Sequence, residues 1–182
     1  MAVLFVSRVS GGVVVVSCLP LPVRCFLSSE VVGFSGSRSV VPSVLAVACG
    51  FVPSGASVFV GCARGVDSAV RSSFPSALVF SVARFGSGRP AFARRSVAFV
   101  RALSASGGVL VSFPGRPCPS GLAPSSSSRA CFCGLGSGSW ASLAFALGLG
   151  VPVVVWLPRG VVPPASFGLC SVGSGWWVSL PF

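Results

Sequence analysis

From residue 30 onward, short runs rich in Val and Phe alternate with longer stretches of mixed character, and no other feature constrains the fold as much. Continuous apolar runs of β-branched residues suit strands buried on both faces, which arise where helices cross over between parallel strands. Such runs predict strands at residues 31–35, 57–60, 77–82, 108–113 and 152–156. Helices are expected at 40–49, from Asp67 to about Ser73, at 91–104 and at 139–147, with Gly148 and Gly150 as stop signals. In the helix at 91–104, Val97, Val100 and Leu103 share an apolar face, and Arg94, Arg95 and Arg101 fall on the polar side. The expected fold class is α/β: an open parallel sheet of about five strands, helices on both faces, over residues 30–158. Residues 1–29 read as an added N-terminal β-hairpin, with strands at 3–9 and 13–18 around Gly11-Gly12. Residues 159–182 read as a Pro- and Gly-rich C-terminal tail, and 114–136 as an insertion loop or lid.

Composition needs a correction before it can be used. Lys, His, Tyr, Thr, Ile, Asn and Gln are all absent, and each requires adenine at the first or second codon position. The pattern is that of an adenine-depleted coding strand, which sequencing the gene tests. Such a filter deletes Lys, spares Arg and nearly removes the carboxylates, so the net charge of +11 follows in large part from codon usage. The charge still attracts anions. The mean hydropathy of +0.93 is inflated in the same way. The uncharged stretch 130–158 approaches membrane-spanning length, but Gly148, Gly150 and Pro152 interrupt it and a Val run ends it. A helix leading into a buried strand fits better than a span, and the N-terminus lacks a signal-peptide pattern. Eight cysteines show no C-x-x-C pair and have no His beside them, which favours free thiols and a cytoplasmic location over a metal site, although Cys118, Cys131 and Cys133 could cluster.

Three turns follow expected strands and could hold an anion. In the first, Gly36, Ser37 and Arg38 combine close backbone approach with a hydroxyl and a charge, although an ordinary glycine turn looks the same. In the second, Gly61-Cys62-Ala63-Arg64-Gly65-Val66-Asp67, Gly65 permits a left-handed turn. Asp67 there caps the following helix or pairs with Arg64. In the third, Gly136, Ser137, Gly138 and Ser139 open a helix, with Ser139 as an N-cap candidate. Arg94 and Arg95 extend the positive surface. In an open parallel sheet all three turns would lie on the carboxyl-end edge, where ligands bind.

The segment 32–38 and the G-C-A-R-G-V-D run resemble the DNA-processing protein A (DprA/Smf) family and its G-x-A-R-G-x-D signature. Ser137-Gly138-Ser139 with Ser142 is similar to that family's S-G-S-x-x-T-A segment, and Arg94-Arg95-Ser96-Val97 stands where it has R-N-R-I-I. The resemblance covers about residues 31–158. It implies a Rossmann-like core of the SLOG group and a phosphate-bearing ligand, either a nucleotide or single-stranded nucleic acid. The Asn of R-N-R is missing, and the 114–136 insertion departs from the family.

Acid–base chemistry has few candidates, because Glu30 and Asp67 are the only side-chain carboxylates. Glu30 precedes the first strand and belongs to the opposite edge. The related LOG phosphoribohydrolases carry a glutamate in the helix after their glycine loop, and Trp140-Ala141-Ser142-Leu143 has none. The sequence therefore favours a binding module over an enzyme, with no cofactor, no metal and no membrane partner expected and a homodimer left open. Nucleotide processing through Asp67 and a membrane-associated apolar protein are the alternatives. Cys62 reads as a small buried residue, and Trp140 and Trp176-Trp177 read as core before base-stacking groups.

Overall fold

A computed structural model describes residues 19–179. The expected hairpin strands at 3–9 and 13–18 lie outside the described residues. Within 19–29 the chain forms a helix, α1 (Leu21–Leu27), opened by Pro20.

The described chain is α/β, built on a seven-stranded, mostly parallel sheet. Its order is β3 (Leu78–Phe80), β2 (Ser57–Gly61), β1 (Val31–Gly36), β4 (Val109–Phe113), β5 (Val153–Trp156), β7 (Trp176–Ser179), β6 (Leu169–Gly173). The first five are parallel and follow the 3-2-1-4-5 order of Rossmann-like sheets, with the order reversing between β1 and β4. The helices are α2 (Val44–Gly50), α3 (Val66–Ser73), α4 (Gly88–Ala105), α5 (Ser128–Cys131) and α6 (Gly138–Gly148).

Alternation along each strand divides the core in two. Val32, Phe34, Val58, Val60, Val109 and Val111 pack under α1, α2 and α3. Phe59, Leu110, Val153 and Val155 pack under α4 and α6 on the other face. Both faces are covered, which is why these strands read as unbroken apolar runs.

The sheet has two more strands than the five expected, and both come from the tail. β6 and β7 form a hairpin that pairs antiparallel with β5, opposing Val154 with Val178 and Trp156 with Trp176. Trp176 is buried in the core. Two helix starts also differ from expectation. α2 begins at Val44 rather than residue 40, because Pro42 biases Val41 away from helical geometry. α4 begins at Gly88 rather than 91, since Pro90 lies in a first turn where no amide hydrogen is needed. The 114–136 connection is tied to α6: Leu122 and Cys131 are buried, and the Ser125 amide donates to the Ala144 carbonyl at 3.2 Å.

Among the described residues no helix is long and apolar enough to cross a membrane, and the stretch 130–158 divides into α5, α6 and β5.

Candidate functional site

The first two turns are built against each other. Ser37 extends β1, its amide donating to the Phe113 carbonyl at 2.9 Å, and its own carbonyl accepts from the Val66 amide at 3.0 Å. Gly65 adopts φ 69° directly over the Ser37–Arg38 backbone, where a side chain would collide with the Ser37 carbonyl. Val66 then starts α3, and Gly36 lies against its side chain.

Asp67 plays a different part from the one its position suggests. It does not cap α3 and does not pair with Arg64. Its Oδ2 accepts from the Ala63 amide at 3.1 Å and meets Arg95 Nη1 at 3.4 Å. Asp67 is 5% exposed and Arg95 9%, so Arg95 belongs to the interior and adds nothing to the surface. Gly61 makes this arrangement possible, because a side chain there would occupy the space of the Arg95 guanidinium and the Asp67 carboxylate. Burial pushes the Asp67 carboxyl above its ordinary value. Arg95, the Ala63 amide and Arg71 pull it back only in part. Arg95 Nε is buried without a partner among the described residues.

Arg71 closes the clamp, donating to the Gly61 carbonyl at 2.6 Å and to the Ala63 carbonyl at 3.1 Å. Arg71 was not among the residues expected to shape this turn. Its spacing, four residues after Asp67 on one helix, was the available signal. The 61–67 turn is thus gripped from two sides, and Arg64 at its tip is exposed with no hydrogen bond or ion pair among the described residues.

Ser37 is less available to a ligand than expected. Its Oγ accepts from the Ser39 and Val40 amides at 3.2 and 3.0 Å, which folds the β1–α2 turn, and lies 3.4 Å from the Ser39 hydroxyl. Arg38 is exposed and stacks over the Phe92 ring at 4.7 Å, joining this turn to the start of α4. Arg94 is exposed, with Nε donating to the Phe85 carbonyl at 3.0 Å.

The third turn reaches the first through β4. A side chain at Gly115 would strike Ser37, and the carbonyl of the next residue, Arg116, accepts from the Trp140 indole at 2.8 Å. Trp140, fully buried in the first turn of α6, anchors that helix N-terminus beside the end of β4. Ser137 is the N-cap, accepting from the Trp140 amide, and Ser139 is not. Gly136 and Gly138 are exposed, with open space where a side chain would be.

The connections at the two edges of the sheet differ in charge. Each connection that leaves the carboxyl end of a parallel strand carries an exposed arginine: Arg38, Arg64, Arg84, Arg116 and Arg159. The connections at the amino-end edge, 28–30, 51–56, 74–77, 106–108 and 149–152, carry no arginine, and Glu30 lies among them. The seven described cysteines are free thiols, and no cluster of His, Cys, Asp or Glu among the described residues is arranged to hold a metal.

No family model matches the chain, and neither a curated protein nor a solved structure matches it.

Proposed function

We propose that this protein binds a phosphate-bearing ligand, a nucleotide or single-stranded nucleic acid, at the carboxyl-end edge of its sheet. The observation that carries the reading is an exposed arginine in every connection that leaves the carboxyl end of a parallel strand, and none in the connections at the amino end. Codon usage accounts for how many arginines there are, but it does not put one in every carboxyl-end connection and none in the amino-end connections. Five cations and an open helix N-terminus on one edge focus a positive potential where the strand order reverses, and crevices at such points receive ligands in open α/β sheets.

On this reading Arg38, Arg64 and Arg116 contact phosphate, with the Gly138–Ser139 end of α6 supplying amides. Asp67, Arg95 and Arg71 hold the Arg64 turn in shape. The similarity of this turn to the DprA signature points the same way, and the free thiols suit a reducing compartment such as the cytoplasm. Asp67 is buried and its Oδ2 is committed to Ala63 and Arg95, which supports positioning over acid–base catalysis.

Fluorescence polarisation with a labelled single-stranded oligonucleotide tests the proposal. Affinity should fall log-linearly with salt, with a slope of about −0.7 per phosphate neutralised. Binding that ignores salt, or no binding by either the oligonucleotide or nucleoside phosphates, contradicts it.

A further inference from the structure

A cleft of about 300 Å³ opens beside the arginine-bearing turns, between the carboxyl ends of β4 and β5 and the β1–α2 turn. Val40, Pro42, Phe113, Pro114, Trp156 and Pro158 line it, and Ser43 contributes the one side-chain hydroxyl of the wall. Gly115 also lines the cleft and abuts the Ser37 hydroxyl, so cleft and phosphate turn share a wall.

The walls are braced. Phe113, 1% exposed, packs edge-on against Trp176 with ring centroids 5.8 Å apart. Trp156 is half-buried, and its indole N–H donates to the Ser174 carbonyl at 3.2 Å, which leaves its apolar ring to face the cleft. Gly175 lets the β6–β7 turn close this tightly, since a side chain there would start 2.6 Å from the Leu157 carbonyl and 3.0 Å from the indole nitrogen. The C-terminal hairpin therefore fixes one side of the cleft.

Resting on the phosphate-binding reading, we infer that this cleft seats the planar base of the same ligand, stacked on Trp156 and the proline faces. Its volume lies at the lower end for small-molecule sites and suits one ring system. A largely apolar wall with a single side-chain hydroxyl offers little to read the donor and acceptor pattern of a base edge, whereas every base offers a π-face. The site is therefore selective for possession of a base and tolerant of which base it is. The pinned indole lowers the ordering cost of binding.

Two pairs of probes test this: adenosine monophosphate against ribose 5-phosphate, and a DNA strand of about twelve nucleotides against an abasic strand of equal length. The base-bearing member of at least one pair should bind roughly tenfold tighter. Preference in the first pair identifies a mononucleotide, and preference in the second alone identifies a strand. Val40→Trp, at a half-exposed position of the wall, fills the cleft and should erase the preference, read as the affinity ratio within each pair. Trp156→Phe should keep most of it. Equal affinity within both pairs overturns the inference and leaves the phosphate reading standing. A preference that survives Val40→Trp overturns the assignment to this cleft. Failure of all four probes to bind overturns both.

Discussion

The turns at 61–67 and 136–139 look alike as sequence, each glycine-rich and each at the mouth of a helix, yet different forces shape them. In the first, Gly61 and Gly65 are steric necessities: one leaves room for a buried ion pair, and the other passes over the β1–α2 backbone. In the second, nothing packs against either glycine: Gly136 is required only by its φ of 99°, Gly138 faces open space, and the helix behind them is fixed by Trp140. One turn is locked from below so that Arg64 is held out. The other is open backbone at the positive end of a helix. In a chain this rich in glycine, packing and backbone angle together distinguish a required glycine from an incidental one.

The largest effect should come from unlocking the first turn. Asp67→Ala leaves Arg95 buried without its carboxylate, at a cost of about 3–5 kcal/mol. A thermal melt should then drop by roughly 10 °C. Adding Arg95→Met should recover most of that loss, and a melt unchanged by Asp67→Ala would show that the pair does not hold the turn.

Glycine replacement sharpens the contrast. Gly61→Ala should cost at least about 2 kcal/mol by displacing the Arg95 guanidinium. Gly138→Ala, opening α6 into free space, should cost nothing and stabilise by up to about 1 kcal/mol. Equal costs in denaturant titrations would erase the distinction between the turns.

A smaller effect comes from the α2–α3 face of the sheet. Burial raises the Cys49 thiol from its ordinary 9.0 to about 11, with the Ser73 hydroxyl offsetting this in part. Because the folded-state value is raised, this contribution is complete below pH 9 and is lost as pH climbs through about 11. The loss should be at most about 3 kcal/mol, since each pH unit between the two values is worth about 1.36 kcal/mol. Stability curves of Cys49→Ala measured over the same range should fall less steeply than those of the parent chain.

The sequence revealed β1, β2, β4 and β5 because strands buried on both faces need unbroken apolar runs, and it revealed the half-exposed edge strand β3 by its Leu-Val-Phe run. It did not reveal β6 and β7. These are strands of five and four residues with a serine–glycine turn between them, in a tail whose prolines suggest irregular chain. Asp67 stood out, but its partner did not: helical periodicity puts Arg95 on the polar face, and only the hollow above Gly61 takes it inside. The cleft was invisible because its walls come from three distant segments, 40–43, 113–115 and 156–158. Arginine placement was likewise hidden until the strand ends were known.

Edge polarity is the claim on which the functional account depends, and matched arginine removals test it most directly. Arg64→Ala and Arg116→Ala alter the carboxyl edge, and Arg101→Ala removes an equally exposed charge near the far end of α4. Measured against salt with one labelled oligonucleotide, each of the first two should weaken binding and lower the apparent number of neutralised phosphates by about one. Arg101→Ala should match the parent chain. Equal losses from all three would mean that binding follows net charge alone, and the account would be wrong.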